Sequence, residues 1–355
     1  MSIEFRIHWF TRRCEMFAAA AGVCALGLRA IGCQREPKPH PAPVATSTPT
    51  PSVSRNMPDP LNPDRPIEFD SSPRATPANW VTSRPGFQYS HSVAERGGVN
   101  PCAPQEVDTS AFDDWTPLNK GRFIAPHEGA LDASGHFELV LHFFGDDPVR
   151  RELVHSKQNF VLYTLNLDPS LSYGTLFAGT GLFNTIVRQI EQSLSKSRGR
   201  ETHVGHLALS AWSMGFTGIS SLLSQPESNQ VDAVVIIDGL HAPRQGDVLK
   251  RHMQPFVDYA RRAAAGERFM LVTHSSIDPP GFASTTETAH YLIDSLGGRP
   301  QSVLRKDALG LELVESFTRG NLYVRGYAGN DKADHCAQLA LLRDSFMALG
   351  RRWRH

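Results

Sequence analysis

From residue 112 onward, short apolar runs alternate with segments of helical periodicity, and this alternation restricts the fold more than any other feature of the chain. The runs fall at 137–144, 160–165, 207–212, 231–237, 269–273 and 322–326. They are largely continuous, so they read as strands buried on both faces, which requires helices above and below a mostly parallel sheet. The intervening segments supply those helices. Asp147-Pro148 offers an N-cap and a first-turn proline directly after the first run. A helix is predicted over 182–194, and another carries Ile219, Leu222 and Leu223 on one face. Pro255 is predicted to open a helix that stops near Gly266. Ser284 and Glu287 form a capping-box pattern ahead of Ala289, Leu292, Ile293 and Leu296, and a last helix bears Leu339, Leu342, Phe346 and Leu349. The fold class is α/β. The interval between Asp238 and Phe269 holds little more than one helix, which leaves no room for a large cap domain.

The folded unit is therefore placed at 112–350, and what precedes it differs in kind. Residues 1–33 read as an export signal: Arg12 and Arg13, an Ala-rich apolar run, then Ala30-Ile31-Gly32-Cys33. The run is short for a bilayer span. Its end resembles a bacterial lipobox, which implies lipidation at Cys33, with ordinary cleavage as the alternative. Residues 34–66, rich in Pro, Ser, Thr and Ala, form an extended linker that cannot bury a core, and 67–111 an irregular extension. The expected location is the cell envelope, with membrane contact only through a lipid at Cys33. Thirty-six basic residues balance 36 acidic ones, so no global field recruits nucleic acid.

Three of the five cysteines lie in the signal, which leaves Cys102 and Cys336. They show no metal-ligand spacing, and in an oxidising compartment they are expected to pair. Such a bridge closes more than two hundred residues, worth on the order of 5 kcal/mol in the chain-entropy model.

Ala211-Trp212-Ser213-Met214-Gly215 is a one-residue variant of G-x-S-x-G and lies between a strand and a helix, where that motif needs to lie. A serine hydroxyl is a weak nucleophile until a base takes its proton. His335, in the loop after the last predicted strand, is the histidine best placed for it; His206, His241, His274 and His290 are worse placed. Two strand ends offer the orienting carboxylate. Asp238 ends the run at 231–237 and is followed by Gly239, which permits a sharp exit. Asp278 follows the next run and precedes Pro279 and Pro280, which restrict its direction, so Asp238 is the favoured acid and Asp278 the alternative. Backbone donors for an oxyanion are expected from Met214 and from the loop after the first run, at Phe144, Gly145 or Asp146, with His142 organising that loop. Phe143, Phe144, Tyr173, Trp212 and Phe216 are candidates for a pocket.

HFFG after an early strand, AWSMG after a central one and a late DHC loop resemble the α/β-hydrolase superfamily over about 112–350. AWSMG, IIDGLH and THSS together are similar to secreted or lipoprotein serine hydrolases of bacteria. The resemblance implies hydrolysis of a carboxylic ester through an acyl-enzyme at Ser213, without metal or cofactor, on a small-molecule or envelope-derived substrate. Amide or peptide cleavage, or a catalytically silent envelope-binding protein, are the alternatives it leaves.

Overall fold

The apolar runs are strands, and they are buried nearly end to end. A computed structural model describes residues 106–354 apart from 169, 170, 245 and 307–310, so the export signal, Cys33, the linker, most of the extension and Cys102 lie outside the described residues. The strands are β1 (Thr116–Pro117), β2 (Arg122–Ile124), β3 (His136–Phe143), β4 (Val161–Leu165), β5 (His203–Trp212), β6 (Ala233–Ile237), β7 (Phe269–His274), β8 (Gln301–Lys306), β9 (Glu312–Arg319) and β10 (Leu322–Tyr327). They form one ten-stranded sheet in the order β1-β2-β4-β3-β5-β6-β7-β10-β9-β8. Strands β4, β3, β5, β6, β7 and β10 run parallel, while β1 and β2 at one edge and β9 and β8 at the other are antiparallel additions.

The side-chain period of two divides each central strand between two cores. Leu139, Leu141, Leu209, Val234 and Ile236 face one core, while Val140, Ala208, Val235 and Ile237 face the other. The first core is covered by α3 (Leu182–Arg198), α4 (Phe216–Leu223), α5 (Gly246–Ala264) and α6 (Thr285–Asp294), and the second by α1 (Asp146–Ser156) and α8 (Leu341–Trp353). The short helix α2 (Tyr173–Leu176) precedes α3, and α7 (Lys332–Ala337) precedes α8. After β4 the chain crosses to the other side of β3 to form β5. In an open α/β sheet such a reversal leaves a crevice beyond the carboxyl ends of the two strands concerned.

Two local expectations differ from the structure, and one hairpin is not anticipated by the sequence. Helix α5 begins at Gly246, with Pro255 inside it rather than at its start. The buried stripe Met253, Phe256, Val257 and Tyr259 runs straight through the proline, and at roughly 1.5–3 kcal/mol per buried apolar side chain it outweighs the ~3 kcal/mol cost of an interior proline. The cap of α1 is Gly145, at φ 103°, so Asp147 and Pro148 belong to its first turn. The hairpin of β8 and β9 has no clear apolar alternation: β8 is largely exposed, and β9 buries Glu312, Glu315 and Ser316. Only α5 separates β6 from β7, so there is no large cap among the described residues. No helix among them is long and apolar enough to cross a membrane.

Buried Glu315 belongs to a polar cluster across three strands. Gly326 on β10 pairs with His274 on β7 and Glu315 on β9, and a Cβ there would run into both side chains. Its absence lets His274 Nε2 lie 2.9 Å from Glu315 Oε1, the oxygen that His290 Nε2, on α6, also reaches at 2.6 Å. Burial opposes ionisation of Glu315, but bonds to the two histidines and their charge prevail and hold its pKa at about 2. The bond to Glu315 raises the pKa of His290 against its partial burial. Relative to an unfolded value of 4.5, the carboxylate's contribution is full above that pH and lost as pH falls toward about 2. The His290 contribution is present below 6.5 and lost as pH climbs through the raised folded value. Glu315→Gln is expected to destabilise the protein by roughly 3–5 kcal/mol near neutrality, because it strands buried imidazole. Melting curves from pH 3 to 8 should show the variant's deficit largest between about pH 4.5 and 6.5 and shrinking below pH 4.5. A deficit independent of pH would contradict the assignment.

Candidate active site

Four non-glycine residues among those described have positive φ, and three of them sit at the carboxyl ends of neighbouring central strands: Phe144 (72°) after β3, Ser213 (52°) after β5 and Asp238 (41°) after β6. The fourth, Lys157, ends α1. Left-handed backbone costs an ordinary residue about 1–2 kcal/mol, so strain concentrated at three strand ends points to a site held by its surroundings. Ser213 leaves β5 through a single tight turn, Ser213–Gly215, that runs directly into α4. The packing explains the glycines. A Cβ at Gly215 would strike the carbonyl of Phe143, and one at Gly239 would strike the backbone of Ser213. Ala211, where the motif usually has glycine, is fully buried between Phe143 and Ile236.

Gly215→Ala therefore forces β3 and the serine turn apart. Overpacking of this kind costs about 1–3 kcal/mol, and displacement of a reacting group by an ångström costs about 100-fold in rate. The variant is expected to melt several degrees lower and to lose about two orders of magnitude in turnover. Wild-type turnover in a folded Gly215→Ala protein would contradict the packing argument.

His335 lies on the short helix α7 rather than in a loop, because Asp331 and Asp334 form a capping box that starts the helix just before it. Its Nδ1–H donates to Asp238 Oδ2 at 2.6 Å. The other oxygen, Oδ1, accepts from the Ser275 amide and the Thr285 hydroxyl, both at 2.8 Å. Asp238 is 1% exposed. Burial alone would favour its neutral form, but the bond and charge of His335, with the Thr285 and Ser275 bonds, hold its pKa below the ordinary carboxylate value. Asp278 lies elsewhere, exposed and paired with Arg244 at 2.5 Å. His206 meets Glu138, His241 meets the Ala283 carbonyl, and His274 and His290 belong to the Glu315 cluster. A mainly parallel sheet thus carries a serine on a strained strand-to-helix turn, followed in chain order by an aspartate and the histidine it holds. This is the α/β-hydrolase fold.

Among solved structures with this fold, the chain is similar to the BES protein from Bacillus cereus, at 12% identity over 69% of this chain and 97% of that one, with a TM-score of 0.40. It is similar to carboxyl esterase 2 from Tuber melanosporum, at 11% identity over 69% and 89% of the two chains, with a TM-score of 0.40. It also resembles ferric enterobactin esterase from Salmonella typhimurium, at 11% identity over 69% and 59%, with a TM-score of 0.38. No protein-family model and no curated protein sequence matches the chain.

The loop after β3 narrows the choice among its three candidate amides. The Phe144 amide donates to the Leu165 carbonyl at 3.2 Å and the Gly145 amide to Asn166 Oδ1 at 2.8 Å, so two of the three candidate donors are already engaged. Helix α1 begins at the next residue, Asp146, where a first-turn amide has no intrahelical acceptor. The Met214 amide stands likewise in a first turn, the one that Ser213 begins. His142 is fully buried; its Nε2–H donates to the Phe144 carbonyl and its Nδ1 accepts from Ser210, both at 2.9 Å. Burial lowers its pKa to about 4, which keeps the ring neutral and suited to this bracing role. Asn166 also donates to Asp146, which pairs with Arg122, so the loop is tied to the sheet edge.

Of the pocket candidates, Phe143 and Tyr173 are fully buried and pack edge to face, as core. Phe144, Trp212 and Phe216 are half-buried around the elbow. Ser275, within the THSS segment, and Thr285 have no assigned role in the sequence reading, and their donors hold Asp238. Cys336 is buried and disulfide-bonded; its expected partner, Cys102, lies outside the described residues. No group of three or more His, Cys, Asp or Glu among the described residues is arranged to hold a metal.

Proposed function

We propose that this chain is a serine hydrolase that cleaves carboxylic esters through an acyl-enzyme at Ser213. The observation that carries this reading is the His335–Asp238 bond, 2.6 Å long, from a buried and ionised carboxylate to a histidine that follows the strained serine in the chain. With its Nδ1 proton committed to Asp238, the neutral imidazole keeps Nε2 as a base. The Ser213 hydroxyl gives its proton to Nε2 as its oxygen attacks the ester carbonyl. The tetrahedral oxyanion is met by the Met214 amide and a donor from the loop after β3, and Asp238 offsets the charge on the imidazolium. The imidazolium returns the proton to the departing alkoxide, which leaves as an alcohol. Water then repeats the sequence on the acyl-enzyme and releases the acid.

The absence of a large cap among the described residues favours small or flexible esters that reach an open site. The reading of residues 1–33 as an export signal with lipidation at Cys33 supports, in the same proposal, a location at the cell envelope. Purified protein should hydrolyse short-chain aryl esters with a burst of alcohol release equal to the enzyme present when deacylation is slow. A folded, monodisperse preparation inert toward acyl chains of two to eight carbons would reject the ester reading.

A further inference from the structure

We propose that Trp212 is a positioning residue that fixes the plane of the catalytic imidazole, a role that rests on the hydrolase reading for its effect on rate but not for its effect on the ring. A histidine held at one atom is incompletely fixed, because its terminal torsion occupies a broad well. Asp238 supplies only the bond at Nδ1. The second restraint is the indole of Trp212, which stacks on the His335 ring with centroids 4.7 Å apart and planes at 28°. The indole Nε1–H donates to the His335 carbonyl at 3.3 Å, so one side chain holds both the ring and the backbone of the base.

The chain position of Trp212 gives this contact its meaning. It is the last residue of β5, and Ser213 follows at once in the turn, so the nucleophile and the plane of its base are set by adjacent residues where a central strand ends. The same indole stacks on Phe144 at 5.4 Å and 20°, and the Phe144 carbonyl is held by His142. Nucleophile, base and oxyanion loop therefore share one rigid aromatic element. The π face has a second consequence: it attracts the imidazolium formed once the serine proton arrives, more than the neutral ring that preceded it.

Trp212→Leu removes the face and Trp212→Phe keeps it without the indole N–H, so the pair separates positioning from packing. Steady-state kinetics on a short-chain aryl ester should show kcat about ten- to a hundredfold lower in Trp212→Leu with KM within about threefold, and most of kcat restored in Trp212→Phe. The low-field proton resonance of the Nδ1–H bonded to Asp238 reads the ring without need of turnover. It should be sharp in wild type and Trp212→Phe, and broadened by exchange in Trp212→Leu. If the leucine variant does not fold, Trp212→Met carries the same expectations. An equally sharp resonance in the variants without an aromatic face would overturn the proposal, as would equal loss of kcat in the phenylalanine and leucine variants. The resonance pattern in a wild type without turnover would support positioning while removing the hydrolase reading.

Discussion

Asp238→Asn should lower kcat by about four orders of magnitude while the protein remains folded. Asparagine is nearly isosteric and still offers an oxygen to the Ser275 amide and Thr285 hydroxyl, which now bond to Oδ1. Its NH₂ then faces His335 Nδ1, where the carboxylate oxygen accepts a hydrogen bond at 2.6 Å. A donor there drives the imidazole to the other tautomer, with its proton on Nε2, so the nitrogen that must accept the serine proton is already occupied. The wrong tautomer, together with the lost negative charge, accounts for an effect of about 10⁴ in triads of this kind. Turnover of the purified variant, beside its circular dichroism, checks this. Retention of a tenth or more of wild-type kcat would show that Asp238 does not orient the base, and Asp278→Asn, on an exposed carboxylate paired with Arg244, should serve as the near-neutral control.

Ser213→Ala is expected to cost more, about 10⁶ in kcat, because it removes the atom that forms the covalent bond. The residual rate comes from the oxyanion donors and binding alone. The substitution leaves the elbow's neighbours unchanged, since Gly215 and Gly239 make their close approaches to backbone rather than to the serine side chain. Melting should shift by no more than a few degrees. A variant that hydrolyses aryl esters at a rate near wild type would place the chemistry on another residue. Combining Ser213→Ala with Asp238→Asn should add almost nothing to the single loss, because residues acting as one unit are not additive.

The parts of this site legible in the sequence are those in which local pattern and long-range contact coincide. A strand buried on both faces must be apolar throughout, so β6, buried at every position, was readable as a run of AVVII. Ser213 was readable because a strand, a serine between small residues and a helix are contiguous. The preference for Asp238 over Asp278 was legible only through the flanking Gly239 and Pro279-Pro280, since the choice depends on direction in space. Asp238 follows the last residue of β6 without an intervening residue, whereas Asp278 lies four residues beyond His274, at the end of β7, and turns outward to Arg244. The oxyanion loop was legible as a place but not as an amide: the acceptors for Phe144 and Gly145 are Leu165 and Asn166, about twenty residues away on a neighbouring strand end. Pro255 misled because a local steric rule was outweighed by an apolar stripe visible only once the helix is packed.

A fluorophosphonate reacts with a serine only where a base and an oxyanion site meet at its hydroxyl, so it tests the account without knowledge of the physiological substrate. Treatment of the folded protein followed by proteolysis and mass spectrometry should find one stoichiometric adduct on the peptide containing Ser213, strongly reduced in Asp238→Asn. An unlabelled Ser213 in folded protein, or an adduct on a different serine, would contradict the assignment of this site as a working triad.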